Sequence, residues 1–399
     1  MQVELGGPTN STGPPENFDV EDAIRPVRTV GQQLCDDTVS AIHHFRMNWV
    51  EGLIERYRKN PGGPVVHLSD LLNSTQVGVR TDARQILLEY WERLGEIPGA
   101  FNQSEQLRGI RDLVNGRLAR FARLDTWKLF GSLTGFRIDD LEPFVVMLRI
   151  SGGRCMRTVE RPKLPFNLAT VSGARLIGYQ GDANSSNASF TNKDQLLHAD
   201  YEKCVRDVVG DMTITRTVST QGGFGEGAYY RTNVGRLITS ITRVAGFDNS
   251  VDQKLANNPF PLWLHACNTL LIAGCVSALW DAEGSVNFHD VKTSQAAPFA
   301  PSGLDEIPRW PLNVAFGGMS YPEQVSVLRK PPLLLVSAAL LLRKMGVVSR
   351  LWPSKASMTS TGPTAYWQLR IIDKSSIQAF RNQVHLVSAW KSGSLASSA

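Results

Sequence analysis

The 399-residue chain lacks the marks of an oxidising compartment, a membrane or a thiolate metal centre. Its five cysteines, Cys35, Cys155, Cys204, Cys267 and Cys275, form no CxxC pair and have no metal-ligand spacing, so reduced thiols in an intracellular protein (cytoplasm, nucleoid or organelle matrix) are expected. No charged-then-apolar leader opens the chain, and residues 6–15 are mostly Gly, Pro, Ser, Thr and Asn. The longest apolar runs, Ala266–Trp280 and Pro332–Leu342, are too short or too interrupted to span a bilayer. With 42% hydrophobic and 20% charged residues, wholly disordered and collagen-like chains are excluded as well.

What is present is an uneven charge. Residues 1–150 carry 17 Lys and Arg against 20 Asp and Glu, residues 151–399 carry 25 against 17, and residues 301–399 carry 11 against 4. A basic C-terminal two-thirds suits a polyanionic partner, because each neutralised phosphate releases counterions. Length predicts two or three domains. Residues 1–18 read as a disordered leader and residues 19–155 as an all-α domain, with helices over Asp36–Tyr57, Leu68–Asn73, Thr81–Leu94 and Gln106–Leu129. Within it, His67–Gly95 has the outline of a helix-turn-helix: Ser69 as a cap, Gly78 in the turn, and a second helix carrying Arg84 and Gln85. A purely structural hairpin has the same outline.

Beyond Lys163 a weak repeat sets the architecture, with units at 156–262 and 263–395. In the first, a helix over Leu168–Gly181 ending in "GYQGDAN" is followed by the short strand "SFTNKD". A helix over Gln195–Val209, a hairpin around Thr213–Arg231 and a helix over Val234–Gly246 complete it. In the second, a helix over Leu264–Trp280 ends in "WDAEGSV", followed by extended segments and a helix over Leu333–Met345. The strands "VVSRLW" and "YWQLRII" and a helix over Ser375–Leu386 close it.

"CVSALWDAEGSV" (Cys275–Val286) resembles the LAGLIDADG motif of homing endonucleases and intein endonuclease domains, a family whose αββαββα unit is used twice. "SFTNKDQLLHADYEKCVRDVVGD", "LLLVSAALLLRKMGVVSRLW" and "YWQLRIIDKSSIQAF" extend the likeness over about Leu164–Leu395. The resemblance implies an α+β fold, tandem LAGLIDADG αββαββα repeats forming a pseudo-two-fold saddle on double-stranded DNA. It also implies a single-chain monomer and site-specific cleavage with Mg²⁺ or another divalent cation. Small residues at helical spacing, Ala174 and Gly178 in one motif helix and Ala273, Gly274, Ser277 and Ala278 in the other, let the two helices approach closely. Asp182 and Glu283 would then meet at the helix ends as oxygen ligands for hard cations, the arrangement that activates water in phosphodiester hydrolysis. Taken singly, either carboxylate reads as a solvated cap. By the family's pattern Lys254 and Lys391, each after the last helix of its repeat, stand beside the metal sites. Arg216, Arg231, Lys292 and Arg370 on the predicted strands are the candidates for groove contacts.

The first motif departs from the pattern. Gly178 precedes Asp182 by four residues, whereas Ala278 precedes Glu283 by five, and one residue fewer turns the acid by about 100° around a helix. No Cys or Ser splice nucleophile stands at the start, so a free-standing protein is expected rather than an intein. The scaffold also resembles non-cleaving regulators with helix-turn-helix domains and maturases that act on intron RNA, which is the alternative reading.

Overall fold

The computed structural model describes residues 19–37, 46–72, 77–97, 105–117, 121–150, 157–180, 189–219, 229–247, 258–287, 290–298, 331–359 and 362–397. The architecture is α+β, built of helices and small antiparallel sheets, the smallest of which pairs β1 (Val65–Val66) with β6 (Phe166–Asn167).

The repeat elements form where periodicity places them. The first unit holds helix α6 (Val171–Gln180), strand β7 (Ser189–Asn192), helix α7 (Gln195–Val209), strands β9 (Thr215–Ser219) and β10 (Tyr229–Asn233), and helix α8 (Arg236–Val244). The second holds α10 (Thr269–Glu283), β11 (Gly284–Asn287), β12 (Asp290–Pro298), α11 (Leu333–Lys344), β13 (Arg350–Thr359), β14 (Gly362–Ile371) and α12 (Lys374–Gln383). Their sheets are ordered β7-β10-β9, with three strands, and β11-β12-β14-β13, with four, and each ends on the two strands that follow the unit's second helix. The apolar run before the second motif breaks into two helices. Short α9 (Leu262–Ala266) stops at Cys267, and Asn268 caps α10 by accepting the Leu271 N–H at 3.1 Å.

The N-terminal region is not all-α as expected. Strands β2 (Val77–Thr81), β3 (Ala122–Arg123) and β4 (Val145–Ile150) join β5 (Arg157–Glu160) and β8 (Asp211–Met212) in a five-stranded sheet ordered β3-β2-β4-β5-β8. The expected boundary near residue 155 runs through this sheet, since β8 comes from the first repeat. The helix-turn-helix outline also fails. Its first helix is a single 3-10 turn at Ser69–Leu71, and the supposed turn at Gly78 is strand β2, leading into α3 (Arg84–Gly95). The remaining helices of this region are α4 (Arg108–Val114) and α5 (Leu124–Thr134).

The first two helices, α1 (Val20–Asp37) and α2 (Arg46–Lys59), pack on the second unit rather than on that sheet. Trp49 meets Trp367 of β14 edge-on, with ring centroids 5.7 Å apart. The Tyr57 hydroxyl lies 2.6 Å from His265 Nε2, and Ser337 Oγ lies 3.2 Å from the same nitrogen. All three residues are buried, and burial pushes the imidazole down to about 3, so His265 stays neutral. Among the described residues Cys204, Cys267 and Cys275 are free thiols, and no helix is long and apolar enough to cross a membrane.

Candidate functional site

The two motif helices are deeply enclosed. Every residue of α6 from Gly173 to Gln180 and of α10 from Ile272 to Asp281 is buried, as expected of a helix packed on all sides. They touch at Gly178, where an added Cβ would lie 2.2 Å from the Cys275 carbonyl oxygen and 2.8 Å from Ala278 Cβ. Only glycine permits this approach, and the small-residue spacing was its signal in the sequence.

A polar cluster crosses the seam. Arg175 of α6 donates from Nε to Asp200 of α7 at 2.8 Å, from one terminal nitrogen to Ser277 at 2.8 Å, and from the other to Asp281 at 3.1 Å. Tyr179 donates its hydroxyl to the same Asp200 oxygen at 2.8 Å. Asp281 is fully buried and also accepts the backbone N–H groups of Val387 and Ser388, at 3.0 and 3.1 Å. Burial raises its carboxyl above the ordinary value, while those amides and Arg175 draw it back. The network ties α6, α7 and α10 to the C-terminal segment. Sequence reasoning missed Arg175 and Asp281 as a pair, although a charge in the middle of an otherwise apolar helix was the available signal.

Glu283 is the last residue of α10 and is exposed. The chain turns at once into β11, because Gly284 N–H bonds back to the Trp280 carbonyl and a Cβ at 284 would lie 2.6 Å from that oxygen. Lys391, on helix α13 (Ala389–Ser397), donates Nζ to the Trp280 and Asp281 carbonyls at 2.8 and 2.6 Å, capping the same helix end. An acidic side chain at a helix C-terminus works against the macrodipole, which there favours cations. Glu283, the helix carbonyls and the dipole together make a setting suited to a positive charge, with the oxygen donors that hard divalent cations prefer. Asp182 and Lys254 lie outside the described residues.

The groove candidates separate. Lys292 of β12 and Arg370 of β14 are cross-strand partners, and Arg370 is also opposite Arg350 of β13, so three basic residues form one row across the sheet. The row lies on the face opposite the buried Val291, Leu351, Leu369 and Ile371. Arg350 was not anticipated, yet strand alternation in "VVSRLW" would have placed it there. In the first unit Arg231 is exposed and opposite Thr191 and Thr217. Arg216, opposite the buried Thr232, is on the other face and pairs with Glu202 of α7 at 2.7 Å, which turns it from the side that Arg231 occupies.

A second group of ligand-type side chains, His67, Asp139 and Glu142, brings its donor atoms within 4.8 Å of one another. Glu142 accepts the Leu68 N–H at 2.9 Å, and Asp139 accepts the Ser69 N–H and hydroxyl, both at 2.8 Å. These bonds satisfy the otherwise orphaned amides of the 3-10 turn and account for the cluster as a loop clamp.

The chain matches no family model and no curated protein. Solved structures of the homing endonuclease I-DmoI are similar over part of it. Its mesophilic variants align at 13% identity and a TM-score of 0.29, over 54% of this chain and 90% of theirs. I-DmoI in complex with DNA and calcium aligns at 12% and 0.29 over 54% and 90%, and in complex with DNA and manganese at 11% and 0.29 over 56% and 99%. These are loose likenesses, and the site stands on its own geometry: two glycine-fitted helices, an exposed carboxylate at the end of one, and a basic row on the sheet that follows it.

Proposed function

We propose that the chain is a LAGLIDADG-type protein that binds double-stranded DNA as a monomer and cuts it with a divalent cation, Mg²⁺ or another. The observation that carries this reading is Glu283, an exposed carboxylate at the C-terminal end of a buried helix clasped to its counterpart. The macrodipole disfavours an acidic side chain at that end of a helix, and a bound cation would offset it. Glu283 and Asp182 would hold the cation, which when bound supplies charge stabilisation and a more acidic water. Lys391, and Lys254 in the first repeat, would stand beside the reacting phosphate. Lys292, Arg370 and Arg350, with Arg231 in the first unit, would meet the groove or the phosphate backbone. The two units at 156–262 and 263–395 would each present one sheet to the duplex.

The shortened first motif favours a second reading, a DNA- or RNA-binding protein without nuclease activity, because the site would then lack one properly placed acid. Incubation with a library of long duplexes and Mg²⁺ tests the two. Cleavage that disappears in Glu283→Gln, with binding kept, is expected from the first reading; salt-dependent binding without cleavage under any divalent ion is expected from the second.

A further inference from the structure

With the helix-turn-helix gone, the arginines of the N-terminal region regroup. In the five-stranded sheet, Arg123 of β3, Gly78 of β2, Arg149 of β4 and Thr158 of β5 are successive cross-strand partners. Arg80 lies two residues from Gly78, on the same face. The opposite face is core: Val77, Val79, Leu148, Ile150 and Val159 are all buried. One face is thus apolar and covered, and the other carries three arginines within three adjacent strands.

Two of these arginines are under-employed. Arg80 and Arg149 make no ion pair among the described residues, and the Nε of each is shut off from solvent without an acceptor there. The Arg149 guanidinium lies over the Phe121 ring, 4.0 Å from its centroid, and this stacking fixes the plane of its donors. Arg123 is exposed and pairs with Asp125 at 2.8 Å. The closed-off Nε atoms cannot reach an outside ligand, so the terminal nitrogens of these half-buried guanidinium groups are the donors left for one, and a phosphate accepts from such a pair bidentately. The basic region is confined to β3, β2 and β4, since Glu160 of the adjoining β5 lies in the row of Arg80 beyond Met147 and is followed by its partner Asp211 of β8.

We infer that this outer face, through Arg80 and Arg149 backed by Phe121, is a second phosphate-binding surface that holds the sugar-phosphate backbone of duplex DNA flanking the stretch gripped by the repeats. The inference rests on the DNA-binding reading above and gives the N-terminal region a role there through a sheet rather than a recognition helix. Charge complementarity selects the partner, and contacts made to phosphates rather than to base edges are independent of sequence.

The test is fluorescence anisotropy on the full chain with a long labelled duplex of arbitrary sequence, over a series of salt concentrations. Each lost phosphate contact lowers the slope of log K against log salt by about 0.9, so Arg80→Gln/Arg149→Gln is expected to lower it by about 1.8 and to weaken low-salt binding roughly tenfold or more. Arg80→Lys/Arg149→Lys keeps the charges and should retain most of the slope. If the double glutamine variant does not fold, Arg80→Gln alone, which leaves the Phe121 stack intact, should lower the slope by about 0.9. An unchanged slope in a folded variant, with the slope of Lys292→Gln/Arg370→Gln reduced, overturns this surface and leaves the DNA reading standing. A wild-type protein that binds no duplex overturns both. Loss of binding to a structured RNA, with duplex binding intact, overturns the duplex assignment in favour of RNA.

Discussion

Replacing Gly178 by alanine sets two physical effects against each other. In a helix interior Gly→Ala ordinarily stabilises by about 1 kcal/mol, through backbone entropy. Here the new Cβ would stand 2.2 Å from the Cys275 carbonyl oxygen, a backbone atom inside a buried helix, and 2.8 Å from Ala278 Cβ. An ordinary contact needs about 3.4 Å, so α6 and α10 must part by about 1 Å along a seam with no slack. Overpacking of this kind costs about 1–3 kcal/mol and more where backbone is the obstacle, so a net loss of about 3 kcal/mol is expected, roughly 6–12 °C in the melting of a unit of about 200 residues. Gly52 in α2 is the control, because nothing lies within 4 Å of its added Cβ, and Gly52→Ala should gain about 0.5–1 kcal/mol. Adding Ala278→Gly to Gly178→Ala removes the methyl contact and leaves the carbonyl one, so it should recover little. Thermal and urea melts read all four proteins. A Gly178→Ala protein as stable as Gly52→Ala would refute the close helix approach.

Three further outcomes follow from the buried groups. Arg175→Met leaves Asp281 and Asp200 without their common cation and should cost about 3–5 kcal/mol in urea denaturation. Adding Asp281→Leu should cost less than the sum of the two single losses, since the uncompensated charge at that position goes with it. Acid should weaken the contact between α2 and α9: His265 holds its proton only below about 3 when folded and near 6.5 when unfolded, so the folded state binds fewer protons in between. Its contribution is therefore complete above pH 6.5 and falls by up to about 1.4 kcal/mol per pH unit as pH drops toward 3, a slope that His265→Asn should flatten. Lys391→Met removes the ammonium from the Trp280 and Asp281 carbonyls and should loosen the Glu283 end of α10, seen as faster amide hydrogen exchange there with little change at the N-terminus of the helix.

The helices and strands from α6 onward were legible in the sequence because their signals are local: apolar periodicity for α6, α7, α10 and α11, strand alternation around Leu369, and small residues where α6 meets α10. The N-terminal sheet was not. β3 is two residues long, β2 contains Gly78 and is flanked by polar residues that read as a turn, and β8 pairs with β5 from about fifty residues away. The docking of α1 and α2 on the second unit depends on contacts such as Trp49 with Trp367, which no local pattern encodes. The place of Glu283 at a helix end was legible from the local pattern, while the Arg175 bridge to Asp281 joins positions 106 residues apart. Arg216 was misjudged in direction because the pairing register, which puts it opposite buried Thr232, is a tertiary fact.

The measurement that bears most directly on the central claim is cleavage of a long-duplex library in Mg²⁺ by the wild-type chain and by Glu283→Gln, with binding followed in parallel. The expected result is cutting by the wild type and uncut but bound duplex with the variant. Equal cutting by both, or no cutting by the wild type under any divalent cation, would contradict it.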